Sequence, residues 1–338
     1  MTVGPGGVTL AAMLVLCAGS AAGQGAAEDP VGAALSAARA LVTEGKPREA
    51  VARLENLDRT RPDVAHLLGV AYYHADDHRQ AIDLLAPLVT AFPAESVERR
   101  EIVQVLGLSY YLTGRYADAL PLLEETRGWA DNLELGYVLG QAYIQTRQPD
   151  RARASLARTF DVDPGSAAAH VIAAQLMLRL EMEPLAEAEL KQAIEKDPRV
   201  PRAHYLLGQM ALFRGRLEEA IAHSERELTI NPSDAMALYQ IGDAHVRGSA
   251  WDPAVTALQR SLWLNPYYSG PYILLGRVYM KKGQPATAEG MLRRAIQYDP
   301  NNRSAHYLLA QLLQQQGREE EAKQEFAIAE RLQQRQGQ

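Results

Sequence analysis

Residues 272–279 read Tyr-Ile-Leu-Leu-Gly-Arg-Val-Tyr, residues 281–285 read Lys-Lys-Gly-Gln-Pro, and residues 288–295 read Ala-Glu-Gly-Met-Leu-Arg-Arg-Ala. In the first and last of these segments the apolar residues recur at steps of three and four, which is the period of an α-helix. The polar segment between them contains Gly and Pro, the residues most typical of turns. This stretch therefore predicts two helices joined by a short turn.

The same pattern returns every 34 residues along most of the chain. Asx-Pro pairs mark the period at Asp163-Pro164, Asp197-Pro198, Asn231-Pro232, Asn265-Pro266 and Asp299-Pro300. Two small-residue positions keep the same spacing: Ala152, Ala186, Ala220, Ala254, Ala288 and Ala322 form one series, and Gly140, Ala174, Gly208, Gly242, Gly276 and Ala310 form the other. A fixed period of this length indicates an array of identical helical hairpins.

Small changes of unit length extend the pattern to the amino-terminal side, with Ala50, Ala81 and Ala119 as anchors. The array then fills residues 31–336, as the units 31–61, 62–99, 100–132, 133–166, 167–200, 201–234, 235–268, 269–302 and 303–336. The helix starts carry residues that favour that position: Asn132, Ser166, Asp234, Ser269 and Asn302 as N-caps, and Pro201 in a first turn. Gly276 and Ala288 are expected at the crossing of the two helices, where only small side chains fit.

At Tyr272, Leu275, Gly276, Tyr279, Ala288, Leu292, Ala295 and Pro300 the sequence resembles the tetratricopeptide repeat family. The resemblance covers 31–336 and implies an all-α fold, a right-handed superhelical solenoid of about nine helix-turn-helix repeats. Four residues depart from the family pattern, namely Asp131, Ser224, Glu227 and His245. The resemblance further implies a non-catalytic scaffold that binds protein or peptide partners.

In this family the first helix of each repeat lines the inner groove, and ligand contacts come mainly from its second, fifth, ninth and twelfth residues. This implies a peptide-binding groove formed by Tyr137, Gln141, Gln175, Tyr205, Gln209, Tyr239, Asp243, Arg277, Tyr307 and Gln311. Tyr offers a rigid apolar face with a hydroxyl group, and Gln can pair with any peptide backbone. The alternative is that the tyrosines pack against the next repeat and the glutamines are solvated. No repeat has the Lys and Asn pair with which chaperone-binding members hold a carboxylate.

Other classes of function find little support. The net charge of -6, from 35 basic and 41 acidic residues, disfavours nucleic acid as a partner. No phosphate loop, nucleophile elbow or metalloprotease motif is present, so we expect no enzyme and no cofactor. His66, His74 and His78 have metal-ligand spacing on one helix, but the repeat pattern places His78 in a turn, and no metal site is expected. His170, His204 and His306 share the fourth place of their repeats, which indicates a structural role.

The first 27 residues contain no charged side chain, and Val8 to Ala22 form an apolar run with small residues after it. This run is shorter than a membrane span, and the pattern is typical of a cleaved signal peptide. The alternatives are an uncleaved anchor and, less favoured, lipidation at Cys17. The sequence thus predicts an exported scaffold, periplasmic or secreted, or one anchored to the membrane and facing outward. A self-associating structural repeat protein of the cell envelope is the alternative function.

Overall fold

The computed structural model describes residues 29–336, and these fold as helices without a strand. The α-helices are α1 Pro30–Thr43, α2 Pro47–Leu54, α3 Pro62–His74, α4 His78–Leu85, α5 Val97–Leu112, α6 Tyr116–Thr126, α7 Leu133–Gln145, α8 Pro149–Thr159, α9 Ala167–Arg179, α10 Glu183–Lys196, α11 Ala203–Phe213, α12 Leu217–Ile230, α13 Ala235–Arg247, α14 Trp251–Leu264, α15 Ser269–Lys281, α16 Pro285–Tyr298, α17 Arg303–Gln315 and α18 Glu319–Gln336. A short 3-10 helix, Ala86–Leu88, follows α4. The all-α prediction is confirmed, whereas the right-handed superhelical course stays a prediction.

The helices pair as hairpins in which an odd-numbered helix, here helix A, packs against the following even-numbered helix B. The chain divides into two compact units, one ending at Pro164 with α1–α8 and one beginning at Gly165 with α9–α18. Within the second unit, α11 also contacts α13, α13 contacts α15, and α15 contacts α17, each of them the helix A of the next hairpin. The described helices B make no comparable contact with one another, so helices A form the inner layer.

Each turn between helix A and helix B passes through one residue in the left-handed region. These residues are Gly45, Asp76, Gly114, Arg147, Glu181, Gly215, Ser249, Gly283 and Gly317. The next residue closes the turn: the N–H of Gln284 donates to the carbonyl of Tyr279 at 2.9 Å, and Met182 donates to Met177 at the same distance. This is the hydrogen-bond pattern of a Schellman helix end. The repeated turn explains why the hairpins share one geometry.

The core of each hairpin forms where a small residue of helix A faces a leucine of helix B. A Cβ atom on Gly276 would lie 2.7 Å from the side chain of Leu292, and one on Gly242 would lie 2.5 Å from Leu258. Both leucines are fully buried, as is Ala288. Glycine costs about 1 kcal/mol relative to alanine inside a helix, and the close approach of the leucine offsets that loss. The expectation for Gly276 and Ala288 is therefore confirmed.

Four of the expected N-caps are confirmed, because the side chains of Asn132, Ser166, Asp234 and Asn302 accept backbone N–H groups at the starts of their helices. The expectation for Ser269 is wrong by one residue, since Tyr268 is the N-cap of α15. The expectation for Pro201 is also wrong. Helix α11 begins at Ala203 after Arg202, whose φ of 71° is left-handed. The carboxylate of Glu227, on α12, accepts the N–H of Arg202 and so fixes this helix start.

The repeat boundary expected between residues 99 and 100 falls inside α5, which begins at Val97. Ser96 fixes this start, because its hydroxyl accepts the N–H of Arg99 at 3.2 Å. Helix α18 is amphipathic: it buries Ala322 and Ala329 and exposes most of its charged side chains. The signal-peptide expectation, with Cys17, lies outside the described residues.

Candidate binding face on helices A

The inner face of the second unit consists of the side chains that helices α9, α11, α13, α15 and α17 direct away from helices B. The ninth places of these repeats carry Gln175, Gln209, Asp243, Arg277 and Gln311. Residues four positions apart share one side of a helix, so Arg179, Arg247 and Lys281 extend the same stripe. The ninth-place residues of this stripe belong to the groove that the family resemblance implies for partner binding.

The structure divides the ten expected groove residues by exposure. Gln209, Arg277 and Tyr307 are exposed, with Tyr307 at 44%. Five are half-buried: Tyr137, Gln141, Gln175, Tyr239 and Gln311. Tyr205 and Asp243 are buried, at 8% each. The accessible part of the expected groove is therefore made mainly of amide and guanidinium groups.

The ring of Tyr205 offers little accessible surface to a partner. Arg202 lies over this ring, with its guanidinium carbon 5.0 Å from the ring centre, and burial raises the pKa of the phenol. Tyr239 packs edge-on against Tyr268, the N-cap residue of α15, with the ring centres 5.1 Å apart, and burial raises the pKa of Tyr239 as well. Tyr205 is therefore covered by a residue of its own repeat, whereas Tyr239 packs against the start of the next helix A.

Asp243 is paired within its own helix. Arg247 donates two hydrogen bonds to this carboxylate, from Nε at 3.1 Å and from Nη2 at 2.9 Å. Arg247 also donates to the carbonyl of Leu212 at 3.0 Å. Asp243 is therefore unavailable to a partner. Arg277, one repeat further on, is exposed and has no ion pair with any described residue.

The inner side of the first unit carries its own polar contacts. The hydroxyl of Tyr111 donates to the Gln141 amide oxygen at 2.7 Å, and burial raises the pKa of Tyr111 to about 12. Tyr137 packs edge-on against Phe160, with the ring centres 5.6 Å apart. The amide of Gln141 is therefore already engaged, which leaves little of this side free for a partner.

Three further residues of the first unit form an ion cluster across α1, α3 and α5. Glu101 is 3.2 Å from Arg39 and 2.9 Å from the Nε2 atom of His66. Burial alone would raise the pKa of Glu101, but the contacts with His66 and Arg39 lower it. This cluster joins three successive helices A and is structural.

Sequence reasoning missed a buried polar cluster between α11, α12 and α13. The carboxylate of Glu227, 1% exposed, accepts the N–H of Arg202 at 2.7 Å and that of Tyr205 at 3.1 Å. The hydroxyl of Ser224 donates to Gln240 at 2.9 Å, and the Gln240 amide donates to the carbonyl of Tyr205 at 3.3 Å. Ser224 and Glu227 both depart from the repeat pattern, and these departures were the sequence signal that could have revealed the cluster.

The histidines of the fourth place each face the residue 19 positions later on helix B. His170 is 2.7 Å from Glu189, and His306 is 2.6 Å from Glu325. In the sixth repeat the partner is another histidine, and the Nδ1 atoms of His204 and His223 are 3.0 Å apart. The structural role expected for these histidines is consistent with their contacts. The shared spacing of 19 residues could have revealed the pairs.

The His204–His223 pair borders an open cavity of about 380 Å³ lined mainly by residues of α10, α11 and α12. Burial lowers the pKa of both imidazoles, and His223 and Arg226 lower that of His204 further. Around His223, Lys191 acts in the same direction, whereas Glu219 and Glu187 oppose it. At neutral pH this pair is therefore uncharged.

The histidines considered for a metal site do not form one. His66 and His74 lie on α3, but His78 is the first residue of α4, beyond the turn. Residues 29–336 contain no group of three or more side chains placed to hold a metal ion. Within the same part of the chain, no helix combines the length and apolar character needed to span a membrane.

Stacked helical hairpins with a short period define the class of α-helical repeat proteins. Two family models, each described as a tetratricopeptide repeat, match the chain, one at residues 110–176 and 279–336 and the other at 35–96 and 184–235. The chain belongs to the tetratricopeptide repeat family, whose repeats typically serve protein–protein interaction. No curated protein matches it significantly.

Among solved structures, MamA is similar to this chain at 24% identity with a TM-score of 0.42, over 47% of this chain and 94% of that one. MamA from Desulfovibrio magneticus RS-1 gives 21% identity and a TM-score of 0.45, over 51% and 97% of the two chains. The Cut9-Hcn1 hetero-tetramer of the APC/C gives 17% identity and a TM-score of 0.45, over 83% and 55%. Similarity at this level is a likeness of fold alone.

Proposed function

We propose that the protein is a non-catalytic scaffold whose helices A bind an extended segment of a partner protein. The observation that carries this proposal is the row of ninth-place side chains along the second unit. Gln209 and Arg277 are exposed there, Gln175 and Gln311 are half-buried, and none of these four side chains has a hydrogen bond to another described residue. Unused amide and guanidinium groups at a repeating distance suit a peptide backbone, which presents carbonyl and N–H groups at regular intervals.

The test is selection of a random 12-residue peptide library on the full chain, followed by calorimetry with the enriched peptides. Gln209→Ala combined with Gln311→Ala should weaken their binding at least fivefold, because each lost amide leaves backbone groups of the peptide unpaired. Gln297→Ala combined with Gln324→Ala is the matched control, since both side chains are exposed on helices B. Equal effects of the two variants would contradict an inner-face site.

The alternative is a structural protein that uses this face against a second copy of itself. A concentration series in analytical ultracentrifugation distinguishes the two. The scaffold proposal expects a monomer that binds peptides, whereas stable self-association that Gln209→Ala and Gln311→Ala abolish would favour the alternative.

We further propose that the scaffold works outside the cytoplasm, periplasmic or secreted. The support comes from the sequence, in which an apolar run without charge precedes Glu28. Mass spectrometry of the protein from its native cell should find a new amino terminus between Gly23 and Ala26, in an extracytoplasmic fraction. Recovery from the cytosol with Met1 in place would contradict export.

A further inference from the structure

The second unit separates its charges between the two helical layers. Its helices A carry five basic residues and one acidic residue, a net charge of +4; they are Arg179, Arg247, Arg277, Lys281, Arg303 and Asp243. Its helices B carry nine basic and fifteen acidic residues, a net charge of -6. The basic layer is therefore the layer of helices A, which is the inner layer because successive helices A contact one another.

The first unit shows no such separation. Its helices A carry three basic and four acidic residues, and its helices B carry six of each, so the net charges are -1 and 0. Helical repeats of this length therefore do not require a basic inner layer. The difference between the units points to a property of the second unit's inner face.

The basic residues on this face are available to a partner. Arg179, Arg277 and Lys281 are exposed, and the described residues include no ion-pair partner for any of them. The one acidic side chain, Asp243, is neutralised by Arg247 at 2.9 Å. On helices B, in contrast, several cations are already paired, as Lys191 is with Glu187 and Arg293 with Glu289.

From this charge complementarity we propose that the inner face of the second unit binds an acidic segment of a partner protein. The inference rests on the proposed function and adds the chemistry of the ligand. Asp and Glu side chains of the segment pair with Arg277, Lys281 and Arg179, and its backbone meets the amides of Gln175, Gln209 and Gln311. The acidic outer layer repels the same segment, so electrostatics favours the inner face alone.

Nucleic acid is the other polyanion that a basic face could attract. It is the weaker candidate, because the chain as a whole carries a net charge of -6 and a polyanion as long as a nucleic acid would also meet the acidic helices B. The tyrosines at the fifth places also offer unpaired bases little surface for stacking, since Tyr205 is buried, Tyr239 is half-buried and Tyr307 alone of the three is exposed.

The test uses the full chain and an unbiased library of random 12-residue peptides. The enriched peptides should be rich in Asp and Glu, and their affinity, measured by fluorescence anisotropy, should fall as NaCl rises from 50 to 300 mM. Arg277→Gln combined with Lys281→Gln should weaken the binding of the acidic peptides about tenfold. The same variant should have little effect on the binding of peptides in which Asp and Glu are replaced by Asn and Gln. Lys196→Gln combined with Arg260→Gln, two exposed residues of helices B, makes the same charge change and should leave binding unchanged.

The possible results separate this inference from the function on which it rests. Enrichment of peptides without acidic residues would overturn the charge inference and leave the scaffold intact, as would an equal loss of affinity in the control variant. Failure of every peptide to bind would overturn both. Tighter binding of a 12-nucleotide single-stranded DNA than of the acidic peptides would assign the face to nucleic acid instead.

Discussion

Replacing Glu227 by Ala should destabilise the sixth repeat, although Ala is the residue that Ala193, Ala295 and Ala329 supply at the same place in other repeats. Glu227 is 1% exposed and accepts two backbone N–H groups, at 2.7 and 3.1 Å, at the start of α11. An N-cap is worth about 0.5 to 2 kcal/mol, and a hydrogen bond to a charged group about 1.5 to 3 kcal/mol. The cost of burying the carboxylate offsets part of this gain. We therefore expect a net loss of about 2 to 4 kcal/mol.

Repeat arrays unfold locally as well as globally, so the assay should resolve single helices. Hydrogen exchange with peptide-level mass spectrometry should show faster exchange in α11, by about 30-fold or more for a loss of 2 kcal/mol. Urea unfolding followed by circular dichroism gives the total loss. Glu225→Ala is the control, because Glu225 is exposed on the same helix. An unchanged exchange rate in α11, or equal effects of the two variants, would refute the capping role of Glu227.

Three more substitutions test the geometry of the repeats. Glu181→Gly should stabilise the chain by about 1 kcal/mol in urea unfolding, because Glu181 has a left-handed φ of 59° that only Gly adopts without strain; a loss of stability would contradict this. Ala254→Leu should cost about 1 to 3 kcal/mol by overpacking a fully buried helix crossing, and an unchanged melting curve would count against that packing. Burial lowers the pKa of both His204 and His223 in the folded chain, so the stability of their neutral pair is present above an unfolded pKa of about 6.5 and is lost as the pH falls through the folded pKa. His223→Glu restores the pairing seen at His170, and it should reduce the difference between urea midpoints at pH 7.5 and 5.5; an equal difference in both proteins would contradict the proposed effect.

The fold could be predicted because the same packing constraint acts in every repeat and therefore selects the same type of residue at the same position many times. The Gly276 position is readable from sequence, since a leucine such as Leu292 approaches closely in one repeat after another. The N-caps Asn132 and Asn302 could be predicted for a related reason: a polar residue at a helix start acts within a few residues of itself. A single sequence therefore reveals those features of a fold that depend on neighbouring residues or that recur with the repeat.

The candidate site was predicted less well, because burial depends on which neighbours cover a side chain. Tyr205 and Tyr307 occupy the same place in their repeats, yet Tyr205 is 8% exposed and Tyr307 is 44% exposed. Arg202 lies over the first ring, and its conformation depends on Glu227, a residue 25 positions away. The start of α11 was mispredicted for the same reason: no local pattern shows that a carboxylate on another helix holds it.

The central claim is that a partner segment binds along helices A of the second unit. The most direct measurement is photo-crosslinking of an enriched peptide that carries a benzophenone group at its centre, followed by mass spectrometry of the crosslinked chain. We expect crosslinks in α11, α13 and α15, close to Gln209 and Arg277, and competition by the unlabelled peptide. Crosslinks concentrated on helices B, such as α12 and α14, would contradict binding along helices A.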